Sequence, residues 1–276
     1  SGLLALQYRL VSKLVHHKVK EALGLDAVRF AVSGAAPIDP SLLEFFAGFD
    51  LNIHEVYGQS EGSGPTTYAR PGRNRFGTVG PAYPGTEVRI ADDGEILVRG
   101  GNVFAGYLGD PEATAETLVD GWLHSGDLGE FDADGFLTIT GRKKDIIITA
   151  GGKNITPKNL EAAIKNHELV NEAVVIGDRR KYLTALVTLD PEAVEEFLSS
   201  RGETGPAHES KMVEESIAET VDAVNRLYAR VEQIKRFRIL PRELSIEEGE
   251  LTGTLKVRRG VVAAHFADDI ESMYWV

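Results

Sequence analysis

The sequence predicts a mixed fold, in which an α/β segment and a β-rich unit form part of a large domain and a small α+β domain follows. Three observations indicate this order. Two short apolar strands flank a helical segment in the first 60 residues, two hairpin turns come next, and strands then alternate with helices to the end of the chain. We therefore expect three parts, at residues 1–75, 76–142 and 143–276.

The first part is predicted to open with an amphipathic helix over residues 3–23, where apolar residues recur at helical spacing until Gly24. A short buried strand in "AVRFAVSG", a helix over residues 40–46 and a second strand in "LNIHEVY" then form a β-α-β unit. The loops after both strands lie at strand C-terminal ends, where open α/β sheets bind ligands. Because the chain begins at Ser1 inside a predicted helix, we expect it to be the later part of a longer protein.

The second part is predicted to consist of hairpins. Asp93-Gly94 joins "TEVRIA" to "EILVRG", "DADG" joins "LGEF" to "FLTIT", and a short helix in "PEATAETLVD" lies between the two pairs. We expect these strands to form a distorted barrel. The third part is expected to contain the strands "IIIT", "EAVVIG", "LTALVTL" and "FRIL", and helices over 157–165, 192–199, 211–230 and 257–272.

Composition excludes several classes of function. The net charge of −12 argues against a nucleic-acid partner. The chain has no cysteine, which excludes disulfides, thiolate metal sites and a cysteine nucleophile. No apolar run is long enough for a transmembrane helix, so we expect a cytoplasmic protein and leave a peripheral membrane contact open.

The stretch "HEVYGQSEGSGPTTY" has two interpretations. Gly58, Ser60 and Gly62 fit the G-x-S-x-G turn of serine hydrolases, but that turn needs a helix directly after it, and two glycines and a proline follow instead. None of the later histidines lies in a recognisable catalytic loop, which makes a hydrolase a remote alternative.

The same stretch fits a ligand-binding loop better. Tyr57 offers a flat ring for a base, Ser60 and Thr66 can donate to anionic oxygens, and Glu61 can hold Mg²⁺. A polar surface turn with a solvated glutamate is the structural alternative.

Four stretches occur in a fixed order along nearly the whole chain: "SGAAP", "YGQSEG", "DGWLHSGDLGEFDADGFLTITGRKKD" and "GGKNITP". Together they resemble the adenylate-forming enzymes, which include acyl-CoA synthetases, luciferases and the adenylation domains of peptide synthetases. The third stretch looks most like long-chain fatty acyl-CoA synthetases of bacterial type. The resemblance implies ATP-dependent activation of a fatty acid through an acyl-adenylate, followed by thioester formation with CoA, with Mg²⁺ as cofactor.

Two alternatives stay open beside this interpretation. A fatty acyl-AMP ligase or another acyl-adenylating enzyme would share the same stretches. The family's Ser/Thr/Gly-rich phosphate loop with its lysine is not found in the chain and is expected upstream of Ser1. A nucleotide-binding fragment without turnover is therefore the second alternative.

The resemblance implies a nucleotide site made of Gly34, Ala35, Ala36, Pro37, Tyr57, Gly58, Ser60, Asp127 and Arg142. The small residues of "SGAAP" would edge the adenine and Tyr57 would cover one of its faces. Asp127 would accept from the ribose hydroxyls, and Arg142 would bond the ribose or a phosphate. A turn aspartate and a solvated arginine at a domain boundary are the structural alternatives.

The resemblance also implies roles in a mobile C-terminal domain. Lys144 matches the family's hinge, and Gly151, with Gly152 beside it, matches the glycine that lets the pantetheine arm of CoA pass the backbone. Lys256 in "GELTGTLKVRRG" matches the lysine that contacts the carboxylate and the α-phosphate, which makes Lys256 and Glu61 the expected catalytic residues. Leu251 and Leu255 depart from the common form of that loop, and tight or solvated turns are the structural alternatives.

Overall fold

A computed structural model describes residues 2–275 and divides into two compact units, one ending at Lys143 and the other beginning at Lys144. Ser1 and Val276 lie outside the described residues. So does the side chain of Leu3, on which part of the predicted apolar stripe rests. No helix in the described range 2–275 combines the length and the apolar character that crossing a bilayer requires.

The N-terminal unit begins with helices α1 (Gly2–Val11) and α2 (His17–Ala22), joined by one π-helical stretch. Strand β1 (Ala31–Ser33), helix α3 (Pro40–Gly48) and strand β2 (Ile53–Gln59) follow. β1 pairs with β2 in parallel, which confirms the predicted β-α-β unit. Pro40 begins α3, and the side chain of Asp39 caps it by accepting from the Ser41 N–H at 2.7 Å.

Much of the apolar surface of this first segment is exposed. Half of the exposed large apolar side chains recorded over residues 2–275 lie between Leu6 and Phe45, and Phe45 is 55% exposed. In the described part of the sheet, β1 pairs on one edge only, with β2. The segment therefore presents both apolar side chains and an open strand edge.

The rest of the N-terminal unit is a five-stranded sheet. Its elements are β4 (Thr86–Ile90), β5 (Glu95–Gly100), α4 (Pro111–Thr117), β6 (Leu118–Val119), β7 (Trp122–Phe131) and β8 (Leu137–Arg142), and they follow strand β3 (Gly64–Tyr68). Both predicted hairpins, β4–β5 and β7–β8, are confirmed.

The predicted barrel does not close. The strand order is β4-β5-β7-β6, with β8 also on β7, and β4 does not pair with β8 in the described residues. The outer edge of β8 is taken by a preceding loop instead: Leu137 exchanges backbone bonds with Val79 (2.8 Å) and Gly80 (3.1 Å). The sheet is therefore open, and its core packs Tyr57 with four aliphatic side chains, Ile96, Val98, Leu123 and Leu137.

The C-terminal unit has an α+β fold, as predicted. Its elements are β9 (Ile147–Ile148), β10 (Asn154–Ile155), α5 (Pro157–Lys165), β11 (Val170–Ile176), β12 (Leu183–Leu189), α6 (Pro191–Ser199), α7 (Lys211–Asn225), β13 (Ile234–Ile239), α8 (Arg259–His265) and α9 (Ala267–Ser272). β12 pairs antiparallel with β11 and parallel with β13. One face of this sheet packs on α5, α6 and α7, and the other packs on α8 and α9.

Two helices of this unit differ from the prediction. α7 ends at Asn225 rather than at residue 230, because the Asn225 side chain bonds both backbone groups of Ile234 at 2.8 Å and so begins β13. The final helix is divided at Phe266, whose φ of −106° and ψ of 32° leave the helical range while its ring packs into the core.

Candidate functional site

The serine motif lies at a tight turn between two antiparallel strands. Ser60–Gly62 forms one 3-10 turn, Ser63 adopts a left-handed φ of 54°, and β3 then returns along β2. No helix follows the serine, so the hydrolase interpretation is wrong. Gly58 is required by space, because a Cβ there would lie 1.9 Å from the Gly64 carbonyl oxygen.

The small-residue loop after β1 leaves the sheet opposite the middle of β2, since Ser33 pairs with Glu55 and β2 continues to Gln59. A Cβ on Gly34 would lie 2.6 Å from Val56 Cγ1 and 2.9 Å from its carbonyl oxygen, so the loop approaches β2 closely. Ala35 adopts a φ of 67°. The chain therefore turns sharply through Gly34, Ala35, Ala36 and Pro37 with little side-chain bulk, which leaves the backbone accessible to a flat ligand.

Tyr57, Asp127 and Arg142 form a polar row. Tyr57 is 9% exposed and its hydroxyl donates to Asp127 Oδ2 at 2.9 Å. Arg142 Nε lies 3.6 Å from Asp127 Oδ1, because the two residues are direct partners in the β7–β8 ladder. Burial and the Asp127 charge raise the pKa of Tyr57, which keeps its hydroxyl protonated. Most of the Tyr57 ring packs in the core, so its predicted stacking on a base stays a prediction.

The predicted metal ligand has a partner that the sequence did not indicate. Glu61 Oε1 accepts a hydrogen bond of 2.7 Å from the Tyr107 hydroxyl. That bond is the main reason why the pKa of Tyr107 is raised, and the Arg142 charge acts on it in the opposite direction. Tyr107 thus fixes the Glu61 carboxylate from the side. It lies 46 residues from Glu61 in a loop without a motif, and no local sequence signal identifies it.

Ser60 is exposed at this turn, whereas Thr66 is buried. Thr66 Oγ1 has no hydrogen-bond partner in the part of the chain that the structure describes. A buried hydroxyl without a partner is costly, which favours a ligand or water oxygen beside it. The prediction that Ser60 and Thr66 bind anionic oxygens stays untested.

Mg²⁺ fits this end of the site through Glu61 alone. Over residues 2–275, no group of three or more His, Asp or Glu side chains could hold a metal ion. Mg²⁺ commonly binds one or two carboxylates and completes its shell with waters and substrate phosphates. With Oε1 bonded to Tyr107, Glu61 can offer its second oxygen to such an ion.

The remaining predicted residues lie in the C-terminal unit. Lys144 is exposed and lines a cavity of about 820 Å³ together with Arg180, Arg258 and Arg259. Gly151 and Gly152 do not line this cavity. Gly152 requires glycine for its φ of 74°, whereas a Cβ on Gly151 would meet only Thr149 Oγ1, at 3.9 Å. Their predicted CoA contact stays untested.

Lys256 projects from a small turn near the chain end. Its backbone N–H bonds Thr252 Oγ1 at 3.0 Å, its carbonyl accepts from Thr252 N at 2.8 Å, and its side chain is exposed. The turn is anchored by Glu250, which is fully buried and receives two bonds of 2.7 Å from Arg242. The turn is thus fixed while the Lys256 side chain is exposed, and its predicted contact with the carboxylate and the α-phosphate stays untested.

Two family models match the chain. Residues 3–108 match the AMP-binding enzyme model, and residues 144–275 match the model of the AMP-binding enzyme C-terminal domain. The long-chain-fatty-acid–CoA ligase FadD15 of Mycobacterium tuberculosis is 46% identical over 99% of this chain and 46% of its own length. The long-chain-fatty-acid–CoA ligase ACSBG2 of Xenopus laevis is 38% identical over 98% of this chain and 40% of its own length.

Solved structures share the fold. The adenylation domain of a carboxylate reductase from Mycobacterium chelonae aligns with a TM-score of 0.73 at 22% identity, over 97% of this chain and 42% of that one. O-succinylbenzoate CoA synthetase from Bacillus subtilis, in complex with AMP, aligns with a TM-score of 0.66 at 25% identity, over 84% and 45% of the two chains. The chain thus spans about half the length of the relatives it matches.

Proposed function

The chain belongs to the AMP-binding enzyme family, and from this premise we propose that it forms part of an ATP-dependent long-chain fatty acid–CoA ligase. The main support for this proposal is the 46–47% sequence identity with the FadD15 ligases over 99% of this chain. The division of the chain at 1–75, 76–142 and 143–276 is part of the proposal. Its last boundary is supported by a separate family match to residues 144–275, whereas the match to residues 3–108 runs across the boundary at 75.

The first half-reaction joins the fatty acid to AMP. A carboxylate oxygen attacks the α-phosphorus of ATP, a new P–O bond forms, and the bond to pyrophosphate breaks. Asp127 would accept from the ribose through the oxygen that faces Arg142, because Tyr57 already bonds its other oxygen. Tyr57 thereby orients the Asp127 carboxylate.

Two positive groups would balance the negative charge of the phosphates in this proposal. Glu61 would hold Mg²⁺, which when bound neutralises phosphate charge, and Tyr107 fixes the orientation of the Glu61 carboxylate. Lys256 would bring an ammonium group to the α-phosphate and the attacking carboxylate, where negative charge gathers in the transition state. Its exposed position on an anchored turn supports this role.

The second half-reaction transfers the acyl group. The CoA thiol loses its proton and attacks the acyl carbon, the C–S bond forms, and AMP leaves with the electrons of the acyl–O bond. Rotation of the C-terminal domain about Lys144 would bring Gly151 and Gly152 to the pantetheine arm. The left-handed φ of Gly152 and the space around Gly151 support an open passage there.

The test uses the full-length protein. We expect a long-chain fatty acid to support pyrophosphate exchange into ATP, and added CoA to release AMP and form the thioester. Exchange without a thioester would instead identify an acyl-AMP ligase. Absence of both reactions with any fatty acid would contradict the proposal, and the same assays on the 276-residue chain alone test the alternative of a fragment without turnover.

A further inference from the structure

The two lysines on either side of the unit boundary differ in their surroundings. Lys143, the last residue of the N-terminal unit, places its Nζ 2.6 Å from Asp93 Oδ2 and 3.1 Å from Glu95 Oε2. Lys144, the first residue of the C-terminal unit, is exposed, and its ammonium has no hydrogen bond or ion pair within described residues 144–275. Both lysines lie in one 3-10 turn, Lys143–Asp145, and they differ in that only the side chain of Lys143 is anchored.

The anchor is the buried carboxylate of Glu95, which is bonded by two residues of β7 and by Lys143 in the turn after β8. The Glu95 side chain is 6% exposed. Its Oε1 accepts from the Gly126 N–H at 2.9 Å, and its Oε2 lies 3.0 Å from His124 Nδ1 as well as 3.1 Å from Lys143. Burial raises the pKa of Glu95, but the bonds from His124, Lys143 and Gly126 outweigh it and hold the pKa below its usual range.

The exposed half of the anchor is Asp93 in the β4–β5 turn. Its bond to Lys143 is the first cause of a lowered pKa at Asp93 and of a raised pKa at Lys143. Lys143 is thus held by one rigid buried group and one turn group of the same hairpin. Charge-assisted bonds of this kind are stronger and more directional than neutral ones.

We propose that Lys143 is a positioning residue, which clamps the end of the N-terminal unit to the β4–β5 hairpin so that domain rotation begins at Lys144. The inference rests on the proposed hinge at Lys144, and it adds that the preceding residue, Lys143, stays fixed during the rotation. Without the clamp, torsional freedom would extend backward through Lys143 toward Arg142, which contacts Asp127. The C-terminal unit would then sample a broader range of orientations, because hinges absorb rotation at whichever boundary residues are free.

The test measures that range directly, without any catalytic assay. The chain has no cysteine, so Glu112→Cys in α4 and Glu195→Cys in α6, both exposed, provide one spin label in each unit. Pulsed electron–electron double resonance gives the distribution of distances between the two spin labels. We expect Lys143→Met, which keeps the aliphatic stem, to broaden the distribution about two-fold, and Lys143→Arg to restore most of the narrow width.

Three comparisons make the result specific. Asp93→Asn removes one clamp partner at an exposed turn and should broaden the distribution in part. Lys153→Met removes an exposed lysine from the C-terminal unit and should leave the width unchanged. The thermal midpoint of the C-terminal unit should stay near that of the parent chain, whereas that of the N-terminal unit should fall in Lys143→Met, because the buried Glu95 loses one partner within that unit.

An unchanged width in Lys143→Met, or equal broadening in Lys153→Met, overturns the clamp. The distance measurement uses no ATP or fatty acid, so its result can be interpreted even if the ligase proposal is wrong. The ligase assays, in turn, do not depend on whether the clamp exists.

Discussion

Glu55 is a buried carboxyl group in β2, and its side chain accepts a hydrogen bond from the Gly77 N–H at 3.1 Å. Burial raises its pKa to about 7 from an ordinary value of 4.5. Because the folded-state pKa is the higher one, stability should fall as pH rises from about 4.5 to 7 and stay lower above that range.

We expect Glu55→Gln to remove this pH dependence and to stabilise the N-terminal unit at pH 8 by about 1–2 kcal/mol. Urea unfolding followed through Trp122 emission measures it, since Trp122 is buried in this unit whereas Trp275 is 76% exposed. Glu112→Gln, at an exposed helical position, is the control. Parallel stability curves for the parent chain and Glu55→Gln between pH 5 and 8 would refute the assignment.

Lys256 should matter in one half-reaction only. In the full-length protein, Lys256→Ala is expected to slow adenylate formation about 10²–10³-fold, because one preorganised charge contact is lost in that transition state. Thioester formation from supplied acyl-adenylate should be spared. The measurement is single-turnover kinetics of each half-reaction, and an equal loss in both would indicate a folding role.

For single residues, the motifs identified individual site side chains but not the partners that these side chains contact. The motifs indicated Tyr57 and Asp127 separately, but their hydrogen bond joins residues 70 positions apart and has no local pattern. Tyr107 was missed for the same reason, since its contact with Glu61 depends on how a loop folds over the β2–β3 turn. Side-chain partners of this kind are set by tertiary packing, whereas motif identity depends only on neighbouring residues.

At the scale of elements, the β2–β3 hairpin depends on Gly58. A Cβ there would meet backbone atoms, the Gly64 carbonyl oxygen at 1.9 Å and its carbon at 2.7 Å, which cannot move aside as a side chain would. We expect Gly58→Ala to destabilise the N-terminal unit by about 2–3 kcal/mol in urea unfolding. Gly62→Ala in the same turn meets Thr66 Oγ1 at an ordinary 3.5 Å and should cost far less; equal losses would contradict the steric argument.

The turn that carries Lys256 depends on Glu250. Bonds from Arg242, and then from His265 and Ser245, outweigh burial and lower the Glu250 pKa to about 2. Since the folded-state pKa is the lower one, this stabilisation is present above about pH 4.5 and is lost as pH falls toward 2.

Glu250→Gln should therefore weaken the C-terminal unit at pH 7 by about 2–3 kcal/mol and have little effect near pH 2. Hydrogen exchange of the amides in residues 245–258 follows the change locally. Glu247→Gln, an exposed neighbour, is the control. Unchanged protection of these amides in Glu250→Gln at pH 7 would show that the anchor is not needed.

Elements were predictable where local signals agreed. α5 and β12 have the predicted bounds, because Pro157 begins the helix and "LTALVTL" reads as a strand buried on both faces. The open sheet was not predictable as open, since closure depends on whether β4 or the Val79–Gly80 loop reaches the edge of β8. α7 ended early for a similar reason, the bonds from Asn225 to Ile234.

For the whole molecule, the hinge proposal predicts a contrast at Lys144. Proline locks φ and restricts the preceding residue, here the anchored Lys143, so Lys144→Pro should trap one domain orientation. In the full-length protein we expect adenylation to survive and CoA transfer to collapse, while Lys144→Ala does little because alanine leaves the torsions free. Single-turnover kinetics of both half-reactions measure this. If alanine is as damaging as proline, the Lys144 side chain itself matters and the hinge assignment is wrong.

The exposed apolar side chains between Leu6 and Phe45 affect how the isolated chain behaves in solution. Exposed apolar side chains and an open strand edge both favour association between copies, and the edge of β1 lies in the same segment. The apparent molar mass of the chain, measured by light scattering, should therefore rise with concentration despite the net charge of −12. It should fall when a mild detergent is added. Thermal scans of the chain would then depend on heating rate, because clustering of unfolded copies competes with refolding.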